Sequence, residues 1–174
     1  MVVIASVSPV AREADVHGAA PRIRFTDALV ADAMARGLSH SPTFRWLVRR
    51  LTTSDLIVYI ERRPATGRAS GVTQFVSGTP QARYVRIVLD ANVPDNGMVG
   101  LLGHELRHAL EVADAPWVID QHTYGELYRV MGTASCGAPR WCFDTTAAVS
   151  AGRRVVKEVA SAGRRSRDLA ATEE

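Results

Sequence analysis

Apolar residues recur along the chain in two rhythms, and the switches between them mark its elements. Behind a Thr26-Asp27 N-cap, Ala28, Leu29, Ala31, Met34 and Ala35 follow helical spacing up to Gly37, which predicts a first helix. Ser41-Pro42 opens a second, with Phe44, Leu47, Val48 and Leu51 one turn apart. The rhythm then changes. Leu56 to Glu61, Gly71 to Val76 and Tyr84 to Leu89 are short runs rich in β-branched and aromatic residues, separated by turn signals at Gly67 and Gly78-Thr79-Pro80. Links this short exclude a parallel crossover between consecutive strands, so the three are expected to form an antiparallel meander.

Helical spacing returns after Pro94-Asp95-Asn96-Gly97. A long apolar helix is predicted from Met98 to about Ala113, then one capped by Asp120 and running through Glu126 to Met131 before Gly132, and a last one from about Thr145 to Ala160. Residues 1–20 read as a weakly ordered segment, a possible leader remnant that lacks a basic start. Residues 163–174 read as a disordered, solvated tail. The expected fold is therefore α+β: a single domain over 21–162, with a small three-stranded antiparallel sheet packed by helices on one face.

Composition narrows the function classes only slightly. The 174 residues suffice for one core, and 47% hydrophobic with 22% charged residues is ordinary for a globular chain. All but one of the 21 basic residues are Arg and the net charge is only +3, which reads as an Arg-rich solvated exterior rather than a nucleic-acid surface. No apolar run is long enough for a membrane span. Cys136 and Cys142 flank a Gly/Pro loop, where a disulfide and two free thiols are both open readings. The disulfide would agree with export to a periplasmic or extracellular space; otherwise the protein is cytoplasmic.

The chemistry lies in His104-Glu105-Leu106-Arg107-His108. Residues four apart share a helix face, so both imidazoles can address one zinc ion, while Glu105 beside the first ligand can take a proton from a water that the metal acidifies. Arg107, between the ligands, has to emerge at the helix edge or pair with a carboxylate. Three carboxylates compete for the third metal position. Glu111 shares the stripe of His104 but lies further along the axis, where accepting an imidazole N–H suits it better. Glu126 has its own helix and Arg129 one turn on. Asp144 opens the last helix, where it could equally be an N-cap. His122 is a further candidate, as ligand or as donor to a tetrahedral intermediate, and Tyr124 and Tyr128 are candidate donors to an oxyanion.

The run Leu102-Gly103-His104-Glu105-Leu106-Arg107-His108-Ala109-Leu110-Glu111 resembles the active-site helix of zincin metallopeptidases. Phe143-Asp144-Thr145-Thr146-Ala147-Ala148, with Gly152 and Val155 beyond, looks like the downstream gluzincin helix. In gluzincins a Glu of an E-x-x-A helix is the third ligand, and this chain has Asp144 there. The resemblance spans residues 98–160 and implies a zinc-dependent peptidase with Glu105 as general base, acting on a peptide or protein laid along a strand, for which Tyr84 to Leu89 is the expected choice. The competing expectation is a zincin-like scaffold without catalysis.

Overall fold

The computed structural model describes residues 21–64, 69–134 and 143–170. The leader-like segment before residue 21, Gly67, and the pair Cys136 and Cys142 lie outside them. Among the described residues the chain forms five helices and a four-stranded sheet: β1 (Ile23–Arg24), α1 (Ala28–His40), α2 (Pro42–Thr52), β2 (Leu56–Arg63), β3 (Gly71–Gly78), β4 (Arg83–Asp90), α3 (Asp95–Ala113), α4 (Gln121–Met131) and α5 (Thr146–Ala170). A two-residue ribbon, β5 (Thr133–Ala134) with β6 (Phe143–Asp144), lies between α4 and α5. No helix among these residues is long and apolar enough to cross a membrane.

The sheet corrects the expected meander. Its order is β1-β2-β4-β3, with β1, β2 and β4 parallel and only β3 antiparallel to its neighbour. From β2 to β4 consecutive strands do alternate in direction, as short links require, but β4 inserts between β2 and β3. Burial explains the order. Val85, Ile87 and Leu89 of β4 are fully buried, so β4 takes the centre, while Gln74, Val76, Ser77 and Gly78 of β3 are exposed at the edge.

The helices cover one face of the sheet, and α3 lies in the middle of the core. Met98, Leu102, Leu106, Ala109, Leu110 and Val112 of α3 pack with Phe44, Leu47 and Leu51 of α2 and Phe75 of β3. Two predicted helix ends shift. Gly37 does not stop α1; a Cβ there would stand 2.6 Å from the Phe44 ring, so glycine serves the packing of α1 on α2, and α1 ends where Ser41 caps α2. The expected tail is helical as far as Ala170, because α5 continues past its buried stripe of Ala148, Ala151 and Val155.

One buried cation anchors the end of α3. Arg83, 4% exposed, donates to the carbonyls of Val112, Ala113, Ala115 and Val118 and forms a two-pronged bridge to Asp55 at 2.6 and 2.8 Å. Carbonyls left over at a helix C-terminus attract positive charge, and a planar guanidinium can serve several at once. The same contact holds the Asp55 carboxyl below its usual pKa.

Candidate metal centre

His104 and His108 sit one turn apart in the middle of α3, and their Nε2 atoms approach to 3.2 Å. Asp144 reaches them from the strand before α5, its Oδ1 3.4 Å from His104 Nε2 and 3.6 Å from His108 Nε2. A tetrahedral zinc shell with donors at about 2.0–2.1 Å has donor–donor edges of about 3.3 Å. The three measured edges fit that shell, and the group could hold a metal ion.

Close approach of α5 to α3 makes this possible. A Cβ on Gly103 would stand 2.8 Å from a Val155 methyl, one on Gly100 2.3 Å from a Val156 methyl, and one on Gly152 3.0 Å from the Gly100 carbonyl. The glycine seam lets the two backbones come together, which brings Asp144 within reach of the histidines. Thr145, not Asp144, caps α5: its hydroxyl accepts from the Ala148 N–H at 3.0 Å. Among the described residues the Asp144 carboxylate receives the neighbouring Thr145 N–H, at 2.7 Å, and stays turned to the site.

Glu111 is fully buried one turn beyond His108 and accepts from His108 Nδ1 at 2.9 Å and from the Thr145 hydroxyl at 2.7 Å. A carboxylate accepts only, so the proton is on Nδ1 and the Nε2 lone pair of His108 faces His104 and Asp144. Burial opposes ionisation of Glu111, but these two hydrogen bonds outweigh it and lower its pKa. Burial likewise opposes charge on His108, and the Glu111 hydrogen bond and neighbouring carboxylates outweigh it, so that pKa is raised. For His104, burial and then the adjacent His108 lower the pKa. Arg107 leaves by the helix edge, 3.7 Å from Glu111.

Glu105 reaches toward β3. It is 2% exposed, and burial raises its pKa to about 7. Two residues of β3 make its place: Thr73 donates its hydroxyl to Glu105 Oε2 at 2.8 Å, and Gly71 leaves room, since a Cβ there would stand 2.5 Å from Oε1. His104, His108, Asp144, Glu105, Thr73 and Gly71 line a cleft of about 580 Å³ bounded by β3, α3, α4 and the strand carrying Asp144, of the size that small-molecule and peptide-fragment sites occupy. Its strand wall is β3, not the central β4 of the sequence reading.

Other candidates fall elsewhere. Glu126 is on the outer side of α4 in an ion pair with Arg129, and His122 is exposed near the start of that helix. Neither belongs to the group. Tyr124 lines the cleft, yet its hydroxyl donates to the Thr73 carbonyl, and Tyr128 donates to the His108 carbonyl at 3.1 Å. Sequence reasoning passed over Thr73, Gly71, Thr145 and Gln121. Only Thr145 left a signal, as a Thr three residues before the Ala148 N–H it caps. Comparison with known family models, characterised proteins and solved structures gave no match.

Proposed function

We propose that the protein is a zincin-type, zinc-dependent hydrolase that cleaves peptide bonds. The convergence of His104, His108 and Asp144 at tetrahedral spacing, beside the buried carboxylate of Glu105, carries the reading. Zinc bound by His104 Nε2, His108 Nε2 and Asp144 Oδ1 would supply Lewis-acid polarisation and lower the pKa of water.

The chain's own residues would do the rest. Glu105 takes and returns the proton, and a pKa near neutrality suits both directions. Thr73 holds its carboxylate in place. Glu111 fixes the His108 tautomer and is itself held by Thr145. The β3 edge offers backbone groups to an extended peptide.

The test is metal content together with hydrolysis. Protein purified without added metal should carry zinc, and His108→Ala and Asp144→Ala should each lose it. Glu105→Gln should keep the zinc and lose turnover by about 10²–10⁴-fold. Unchanged zinc stoichiometry in both ligand variants would refute the centre; zinc retained with no hydrolysis in the parent would favour a binding module.

A further inference from the structure

β3 is the outer strand of the sheet, and one row of its backbone groups faces away from β4. The Ser70 carbonyl accepts from the Asp90 N–H at 2.8 Å, so Ser70, Val72 and Gln74 turn their backbone toward β4. Gly71, Thr73 and Phe75 therefore direct theirs outward. A bare edge of this kind pairs with any extended chain.

Among the described residues this edge is bare only at one end. Tyr124 donates its hydroxyl to the Thr73 carbonyl, and Gln121 donates its side-chain amide to the Phe75 carbonyl. Both come from the N-terminal half of α4, where the Tyr124 ring rests between Phe75 and Tyr128, at 6.3 and 5.0 Å between centroids. No side chain among the described residues takes the outward backbone groups of Gly71. That position lies against Glu105, with Ala69 and Ser70 continuing the cleft wall.

We propose that Gln121 and Tyr124 set the length of substrate the cleft accepts. The peptide pairs with β3 at Gly71, beside Glu105, and strand pairing ends at Thr73, where α4 already holds the next carbonyls. The ligand class that follows is a short peptide or the end of a chain, not the interior of a long extended segment. This inference rests on the peptide-hydrolase reading and adds a limit to it.

Peptide binding tests it apart from turnover. Alanine-rich peptides of graded length are titrated into zinc-loaded Glu105→Gln protein by fluorescence anisotropy, then into the same protein with Gln121→Ala, Tyr124→Phe or both. In the parent, affinity should stop rising beyond short lengths. Tyr124→Phe frees the Thr73 carbonyl, the first that a peptide growing from Gly71 meets, and should extend the rise by about fivefold in affinity for longer peptides, the worth of one added hydrogen bond; Gln121→Ala should add a further step of the same size only in the double variant. Circular dichroism and zinc content establish that the variants fold. Gln121 is exposed, and Gln121→Ala alone should leave the plateau where it is, since Tyr124 still holds the Thr73 carbonyl before it. Affinity that keeps climbing with length in the parent, or a plateau that neither substitution moves, overturns the limit and leaves the hydrolase reading intact. If peptides of every length fail to bind, the peptide reading fails and the limit goes with it.

Discussion

Replacing Gly152 by Val would drive a side chain into the seam between α3 and α5, against the α3 backbone. A Cβ at 152 stands 3.0 Å from the Gly100 carbonyl oxygen and 3.1 Å from His104 Cβ. Both atoms are fixed to the α3 backbone, so neither can swing aside as the end of a long side chain would. Two further methyls then have to be placed in the same gap. Valine gains roughly 0.3–0.5 kcal/mol over glycine in helix propensity, whereas overpacking of this kind costs about 1–3 kcal/mol. Packing wins, and the net loss is about 0.5–2.5 kcal/mol, or about 1–10 °C in the melting temperature of a chain this size. The functional effect should exceed the stability effect. Relief of the clash moves α5 outward and takes Thr145 and Asp144 with it, while donor distances to zinc tolerate only about 0.2 Å. Zinc affinity should fall by on the order of tenfold or more. Gly163→Ala on the same helix is the control: nothing lies within 4 Å of its Cβ, so it should gain about 0.5–1 kcal/mol and leave zinc untouched. Thermal unfolding of the metal-free proteins and zinc titration against a competing chelator read both effects. A Gly152→Val protein that melts with the parent and binds zinc within about twofold of it would show that the seam does not set the position of Asp144.

Three further outcomes follow from the same contacts. Arg83→Met should lower stability by about 3–5 kcal/mol in urea unfolding, because it removes a buried cation that serves four carbonyls and leaves them short of donors; a loss under about 1 kcal/mol would mean that those carbonyls find other partners. Glu111→Ala should weaken zinc binding by about 10–100-fold without removing a ligand, through the freed His108 ring, and unchanged affinity would refute that role. Glu105 has a folded pKa of about 7, above that of a free carboxyl, so its contribution to the metal-free protein is fully present at low pH and is lost as pH rises through about 7. The raised pKa of His108 acts in the same direction. Metal-free protein should lose on the order of 3 kcal/mol between about pH 5 and pH 8, and Glu105→Gln should remove most of that slope. A slope that survives the substitution would assign it to other groups.

Local chemistry was legible in the sequence, and long-range pairing much less so. The caps at Asp27, Ser41 and Asp120, and the stops at Ala113 and Gly132, depend on residues within one turn of each other, and the structure has them where the sequence puts them. Strand order depends on a comparison between strands that the turn lengths do not encode. The fully buried side chains of β4 outweighed the simple sequential order. The pairing of His104 with His108 was likewise readable as a helical spacing. The choice among Asp144, Glu126 and Glu111 was not, because it depends on how closely α5 approaches α3. The residues that set that approach are glycines, which have no chemistry of their own to flag them. Gly37 misled in the opposite sense: a residue that usually ends helices was there to admit an aromatic ring.

The cover that α4 lays over β3 has a consequence for solubility as well as for ligand choice. An outer strand with open carbonyls invites a second molecule to add its own strand, which is a common first step toward aggregation. Gln121 and Tyr124 occupy two of those carbonyls. The same two side chains would therefore tie longer substrates to a greater tendency to self-associate. Under the proposed function, a chain that took longer peptides would have to supply some other guard for that edge.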